Sequence, residues 1–407
     1  MKTCQQWRGV GLAVLTGVAL ALASSCSRNE STDTDTNASV KPVAAEVPAP
    51  RLRRTKATPS ANQVTVMEVA TTKATRSKPA AASRAGGTGT SAQPAGSSEV
   101  AQQVAARFLQ IDPKQPLTAQ QAGELNQMFR QLREQGTAAL PAIQALLQRN
   151  EDIDFDSIPG GDKVEAGSLR LGLIDTLGQI GGAAAATVAV QTLQGTADPF
   201  EIAMLTRTLE TEAPGQFREQ EQAAAREALL QIANGQTKAG NISALFETLQ
   251  AVGDANTLET LKQAVPQWNY YATLALAGLP GGAGIPTLID LAKDPKIAGM
   301  GIGDFALRPL AQVAVQYPDA AQALIDQARL NKIPDSAWPT VVSALAGTYI
   351  QYGNQIFGTT APPADWTAEE INRRMAILNQ MLAVTGNGPA RQAIQTALIG
   401  LSRRIPK

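Results

Sequence analysis

From residue 99 onward, apolar residues recur at steps of three and four, the spacing that places them on one face of an α-helix. The clearest of these stripes consists of Leu169, Leu173, Ile174, Leu177 and Ile180. Gly181-Gly182 is expected to end that helix, and Ala183 to Leu193 is expected to form a second one. Runs that alternate with a period of two and are rich in β-branched residues are scarce, so the pattern predicts an all-α fold without strands.

The same arrangement of two helices around a glycine-containing turn recurs further along the chain. One copy has Leu245, Leu249 and Val252 before Gly253-Asp254, with Leu258 and Leu261 after it. Another has Leu274 and Leu279 before Gly281-Gly282, with Leu288 and Leu291 after it. A unit of two short helices cannot bury its apolar stripe alone, so the recurrence predicts units that stack and cover one another.

The second helices also share a local motif. Leu140-Pro141-Ala142-Ile143-Gln144-Ala145-Leu146 and Ile285-Pro286-Thr287-Leu288-Ile289-Asp290-Leu291 both place proline in the first helical turn, where its missing N–H costs nothing. These two prolines are 145 residues apart, close to four units of about 36 residues, a period typical of two-helix repeats. Asp198-Pro199 and Asp294-Pro295 are each expected to end such a helix, because proline cannot continue it.

The run Leu177-Gly178-Gln179-Ile180-Gly181-Gly182, together with the run from Ile285 through Pro295, resembles the short HEAT-like repeat. That resemblance implies an α-α superhelix with a concave binding face over residues 99–407. The family has no catalytic residues to transfer, so it implies a shape and a binding surface but no reaction. An irregular helical bundle is the structural alternative.

The N-terminus has the pattern of an export signal. Lys2 and Arg8 precede the apolar stretch Gly9 to Ala23, which is typical of a secretory signal peptide over residues 1–25. The run Leu22-Ala23-Ser24-Ser25-Cys26 resembles the lipobox of bacterial lipoproteins, which implies lipid attachment at Cys26 and anchoring to a membrane. The alternative is ordinary cleavage after Ala21-Leu22-Ala23, which would leave Cys26 as a lone thiol.

Residues 26–98 are rich in Ala, Pro, Ser, Thr and Gly, a composition that buries too little apolar surface to offset chain entropy. We therefore expect a disordered tether between the anchor and the helical domain. Residues 27–98 hold 10 basic and 5 acidic residues, whereas residues 99–407 hold 23 basic and 30 acidic residues. An acidic body of an exported protein argues against nucleic acid as a partner.

Candidate chemistry is sparse. The chain has no histidine, which excludes Ser-His-Asp and Cys-His nucleophiles and every His-ligated metal site. Asp152, Asp154 and Asp156 match the first ligand positions of a calcium loop, but Lys163 replaces its bidentate glutamate. The sequence favours a solvated acidic loop at 151–162 and leaves calcium binding open, and it predicts no catalytic residue, cofactor or metal.

Aromatic residues are scarce but clustered. Trp268, Tyr270 and Tyr271 form the densest group, for which core filling with one edge exposed is the favoured interpretation. A second group comprises Trp338, Tyr349, Tyr352, Phe357 and Trp366, in and around a long Pro- and Gly-rich insertion. Because long loops in compact arrays are often functional, we expect the partner site there.

The predicted function is that of an envelope lipoprotein whose helical repeats bind a protein or other macromolecule as a scaffold or assembly factor. The alternative is a ligand-binding or envelope-processing protein with its site in the C-terminal insertion (351–366).

Overall fold

A computed structural model describes residues 98–237, 240–294, 302–358, 366–386 and 388–405. Over these ranges the chain forms fifteen α-helices and no strand, and its only β-type pairing is an isolated antiparallel bridge between Asp154 and Ser168. The expectation of an all-α fold is therefore confirmed. The predicted signal peptide, Cys26 and the predicted tether, up to residue 97, lie outside the described residues.

The helices are named in chain order. They are α1 Glu99–Phe108, α2 Ala119–Glu134, α3 Leu140–Gln148, α4 Leu169–Ile180, α5 Gly182–Leu193, α6 Pro199–Glu212, α7 Arg218–Ala233, α8 Ser243–Val252, α9 Ala255–Gly278, α10 Ile285–Lys293, α11 Ile302–Val313, α12 Pro318–Arg329, α13 Trp338–Leu345, α14 Ala368–Val384 and α15 Pro389–Ser402.

The predicted helix pair around Gly181-Gly182 is confirmed. Helix α4 begins at the N-cap Ser168, whose hydroxyl accepts a hydrogen bond from the backbone N–H of Leu171 at 3.3 Å. The helix ends at Gly181, which has φ +66°, and α5 starts immediately afterwards. A left-handed glycine is the usual way to stop a helix, because a side chain would be strained there.

One sequence prediction at a proline is wrong. Asp198-Pro199 does not end a helix but begins α6, and five residues (194–198) separate α6 from the end of α5. The Asp198 carboxylate accepts the backbone N–H groups of Phe200 and Glu201, both at 3.0 Å, and Pro199 occupies the first turn. Asp-Pro is thus a start signal here, since an N-cap acceptor and a proline that lacks its N–H suit the same helix terminus.

Helix α9 is two helices joined at a kink. Pro266 lies inside it, and Trp268 has non-helical dihedral angles of φ −131° and ψ 47°. The break itself falls at Trp268, two residues after Pro266, while the proline removes one backbone donor from the turn that precedes it.

Most helices pack on their second neighbour in the chain as well as on the next one. One chain of such contacts links α2, α4, α6 and α8, and another links α3, α5 and α7. Towards the C-terminus α9, α11, α13 and α15 are linked in the same way, as are α10, α12 and α14. The core between the helices consists mainly of Leu, Ile, Val and Ala side chains.

Candidate protein-binding site

The irregular segment 346–358 follows α13 and folds back across three earlier helices, α11, α9 and α8. We call residues 348–358 the crossing segment. Its residues 348–352 have no regular structure, and the chain bends at Gly353 and Asn354. The helices beneath it contribute side chains that bond mostly to its backbone, and we call the surface formed by α8, α9 and α11 under this segment the groove.

Helix α11 contacts the first part of the segment through one glutamine. The Gln312 carboxamide oxygen accepts the Ile350 N–H at 2.8 Å, and its amide donates to the Ile350 carbonyl at 3.3 Å. A single buried side chain therefore satisfies both backbone groups of one residue, as a neighbouring strand would do in a sheet. Such a contact is independent of the side chain at position 350.

Helices α9 and α8 continue this pattern. The Tyr270 hydroxyl donates to the backbone carbonyl of Gln351 at 3.1 Å. The Asn354 side-chain amide donates to the Ser243 hydroxyl at 3.0 Å, and Ser243 itself donates to Asn241 at 2.7 Å. The segment thus meets the three helices in reverse chain order.

Glu247 on α8 lies beneath the end of the crossing segment and is buried. Its Oε2 accepts the backbone N–H of Ile356 at 2.7 Å. Burial raises the pKa of this carboxyl to about 7, an effect partly offset by N–H groups of Ile356 and Phe357 and by the Asn354 side chain. Glu247 therefore titrates near neutral pH while the segment covers it.

Two buried polar atoms, one in the groove and one in the crossing segment, have no hydrogen-bond partner among the residues that the structure describes. They are Glu247 Oε1 and the hydroxyl of Tyr352. Burial raises the pKa of Tyr352 well above its usual range, and the nearby Glu247 charge adds to the effect. Each buried polar atom without a partner costs about 1–3 kcal/mol, so this packing is less favourable than that of an apolar core.

The aromatic side chains of the groove form one connected stack. Tyr271 stacks on Phe246 at 5.8 Å between ring centroids and on Tyr352 at 6.4 Å, while Tyr270 meets Tyr271 edge-on at 5.2 Å. Trp268 contacts Phe246 edge-on at 6.1 Å. These distances are typical of favourable aromatic pairs. Tyr352 thereby joins the two aromatic groups that the sequence separates.

Two other aromatic residues of this group, Tyr349 and Trp366, contact a buried arginine, Arg374, that the sequence pattern did not bring to attention, whereas Phe357 packs partly buried against the core. Arg374 donates to Glu370, to the Leu345 carbonyl at 2.8 Å and to the Tyr349 hydroxyl at 2.9 Å. Its guanidinium also lies 4.2 Å from the Trp366 ring centroid, a cation–π distance. Tyr349 and Trp366 therefore hold α13 and α14 together, and Trp338 is buried in the core at the start of α13.

A second buried ion pair links three helices near the N-terminal end of the described chain. The Arg170 guanidinium on α4 donates to both Glu201 oxygens on α6, at 2.8 and 2.9 Å, and to the Leu147 carbonyl on α3 at 2.6 Å. Thr196 also donates to Glu201 at 2.7 Å. The full set of partners indicates a structural anchor between helices.

Two carboxylates of the acidic loop 151–162 accept hydrogen bonds, one from within the loop and one from the backbone at the start of α4. Asp152 accepts the Arg170 N–H at 3.0 Å, and Asp154 accepts the Ser157 hydroxyl at 2.6 Å. Phe155 between them is fully buried. In the described residues, no group of three or more His, Cys, Asp or Glu side chains is placed to hold a metal ion.

None of the helices in the described ranges has both the length and the apolar character needed to cross a bilayer. The chain matches no protein-family model, no curated protein and no solved structure. The likeness to HEAT-like repeats therefore rests on the residues quoted above.

Proposed function

We propose that the protein is an exported lipoprotein of the cell envelope, anchored through Cys26, whose helical body binds another protein as a scaffold or assembly factor. In this proposal the helices form HEAT-like pairs stacked into an α-α superhelix, and residues 26–98 form a flexible lead. Contacts between second-neighbour helices support the stacking, because each helix pair then covers the apolar stripe of the next pair. The positive start, short apolar run and lipobox-like residues support the anchor.

The observation that carries the binding proposal is the groove itself. Side chains of α8, α9 and α11 hold a non-helical stretch of polypeptide mainly through its backbone atoms. A surface that recognises backbone in this way suits a protein partner better than a small ligand. Phe305 and Gln312 lie on the same face of α11, because seven residues are about two helical turns. Phe305 is exposed, so this face of α11 continues beyond the crossing segment.

The proposal is tested by site-specific photo-cross-linking in the native envelope. A benzophenone amino acid replaces Phe305 at the edge of the groove, and in a matched control it replaces the exposed Leu230 on α7. We expect a discrete protein adduct from position 305 and no such adduct from position 230. Equal labelling from both positions, or none above background at 305, would contradict the proposal.

The anchor is tested separately by fractionation. Cys26→Ser is expected to move the protein from the membrane fraction to the soluble fraction, because the acylated thiol is lost. Neighbouring Ser25→Ala serves as the control and is expected to stay with the membrane. A wild-type chain that is already soluble would instead support cleavage after Ala23.

A further inference from the structure

We infer that the crossing segment is a resident occupant of a peptide-binding groove, and that the protein partner binds by placing an uncharged, non-helical segment of its own along α11, α9 and α8. This inference rests on the proposed function and adds the chemistry of the partner to it. It also makes occupation of the groove competitive, since the resident segment must leave before another can enter.

Backbone recognition is the first reason. Gln312 bonds to both backbone groups of Ile350, Tyr270 bonds to the carbonyl of Gln351, and Glu247 accepts the N–H of Ile356. Every polypeptide has the same backbone donors and acceptors. These hydrogen bonds therefore determine where a bound chain runs, while the pockets for its side chains determine which sequence binds. From 350 to 356 the chain reaches at most about 20–22 Å, enough for two helix spacings of about 8–10 Å.

Side-chain burial supplies the specificity. Ile350, Tyr352 and Ile356 are only 5–7% exposed, while Gly353 and Gln355 face solvent. The residues from 346 to 358 carry no charge. The expected partner segment therefore has an aliphatic residue, an aromatic residue two positions later and a second aliphatic residue four positions after that. A carboxylate in it would be repelled by Glu247 beneath.

Backbone geometry makes the segment displaceable. It is bounded by Gly347 and Gly358, which have φ +96° and φ +94°. Such residues suit hinges, because glycine adopts both signs of φ without strain. Gln355 is held at φ +50°, a conformation unfavourable for a residue with a side chain, so release of the segment relieves strain.

A labelled peptide of residues 347–358 tests the groove directly. Binding is measured by fluorescence anisotropy to the full mature chain, as wild type and as the variant Ile350→Ser/Tyr352→Ser/Ile356→Ser, whose own segment lacks its anchors. A tethered competitor has an effective concentration of about 1 mM, so a peptide with Kd of about 10 µM should bind the wild type about 100-fold more weakly than the variant. A peptide carrying the same three serines is the control and should not bind.

Absence of binding to a triple-serine variant that keeps the wild-type helical circular dichroism and melting temperature would overturn the inference. So would equal binding of the two peptides. Native-state hydrogen exchange on the wild-type chain provides a test that needs no variant. The amides of Ile350 and Ile356 should exchange by local opening that is insensitive to low denaturant, while Leu249 and Leu310 exchange only on global unfolding.

Exchange of all four amides at the global rate would also overturn the inference. The outcomes separate the two proposals. A partner adduct at position 305 in a protein whose segment never opens would keep the scaffold function and reject the displaceable segment. Peptide binding without any adduct in the envelope would keep the displaceable segment and reject the scaffold function.

Discussion

Replacing Glu221 by glutamine should stabilise the protein near neutral pH and remove its share of a pH dependence to which buried Glu247 also contributes. Glu221 lies on α7 with no exposed surface, and in its protonated form its carboxyl shares a side-chain hydrogen bond with Glu210. Burial raises its pKa to about 8, with nearby Glu210 adding to the shift and Arg218 opposing it. The folded protein therefore keeps this proton at pH 7, whereas the unfolded chain, with a pKa of 4.5, releases it.

The magnitude follows from that difference in pKa. Because the folded state binds the proton more tightly, stability is highest below pH 4.5 and falls as pH rises towards 8, by about 1.4 kcal/mol per unit. At pH 7 the loss is about 3 kcal/mol, a large part of the 5–15 kcal/mol typical of a folded protein. Glutamine has nearly the same shape but no proton to lose, so Glu221→Gln should recover up to that amount.

The assay is urea unfolding followed by circular dichroism between pH 5 and 8. The wild type should lose stability over this range, and Glu221→Gln should lose less, with the remaining loss between pH 5 and 7 due to Glu247. Glu219→Gln on the same helix is the matched control, because Glu219 is exposed and its replacement should leave the wild-type slope unchanged. If Glu221→Gln and the wild type keep parallel slopes, the buried, protonated carboxyl is not the cause.

Three further predictions concern other parts of the fold. Glu201→Gln should cost about 3–5 kcal/mol in urea unfolding, because it leaves the buried arginine partner without its countercharge; a loss below 1 kcal/mol would refute this. Gly172→Ala should destabilise by about 1–3 kcal/mol, since a Cβ there would lie 2.4 Å from the Phe129 ring, while Gly123→Ala in open space on α2 should stabilise slightly; the same sign for both would contradict the packing. The Glu247 carboxyl has a pKa of about 7 while the crossing segment covers it, and its pKa should return towards 4.5 when the segment opens and exposes it. Opening of the crossing segment should therefore increase from pH 5 to 7. Tyr352 and Tyr270 stay neutral over this range, because burial raises the pKa of each. Hydrogen exchange corrected for intrinsic rates measures this, and Glu247→Gln should flatten the dependence.

The periodic part of the fold is predictable from the sequence. The stripe from Leu169 to Ile180, the stop at Gly181-Gly182 and the first-turn prolines all act within a few residues, so local pattern suffices. Asp198-Pro199 shows where local reasoning fails, because a proline after a helix and a proline that starts the next helix look alike until the intervening residues are counted.

The groove was not predictable in the same way. The bonds of Asn354 to Ser243 and of Ile356 to Glu247 join residues 111 and 109 positions apart, and no local pattern encodes such a return. One signal was available in α8, where nearly every residue from Ser243 to Leu249 is buried. A helix rich in apolar and small residues on all faces must be covered on both sides, and the crossing segment provides the second cover.

Arg374 illustrates a signal that could have been used. It shares helical spacing with Ile371, Leu378 and Met381, all of them buried, whereas the adjacent Arg373 is largely exposed. An arginine within an apolar stripe predicts a buried cation with dedicated partners. The identity of those partners, Tyr349 and Trp366, still depended on the tertiary structure.

The most direct test of the groove as a backbone-reading surface uses N-methylated peptides of residues 347–358. At pH 8, where Glu247 is ionised, methylation of the Ile356 nitrogen removes the donor to Glu247 and should weaken binding to the triple-serine variant about 10-fold or more, since a hydrogen bond to a charged group contributes about 1.5–3 kcal/mol. Methylation at Gly353, whose residue faces solvent, should have little effect. If the peptide methylated at Ile356 binds as tightly as the unmodified one, the groove does not recognise polypeptide through its backbone.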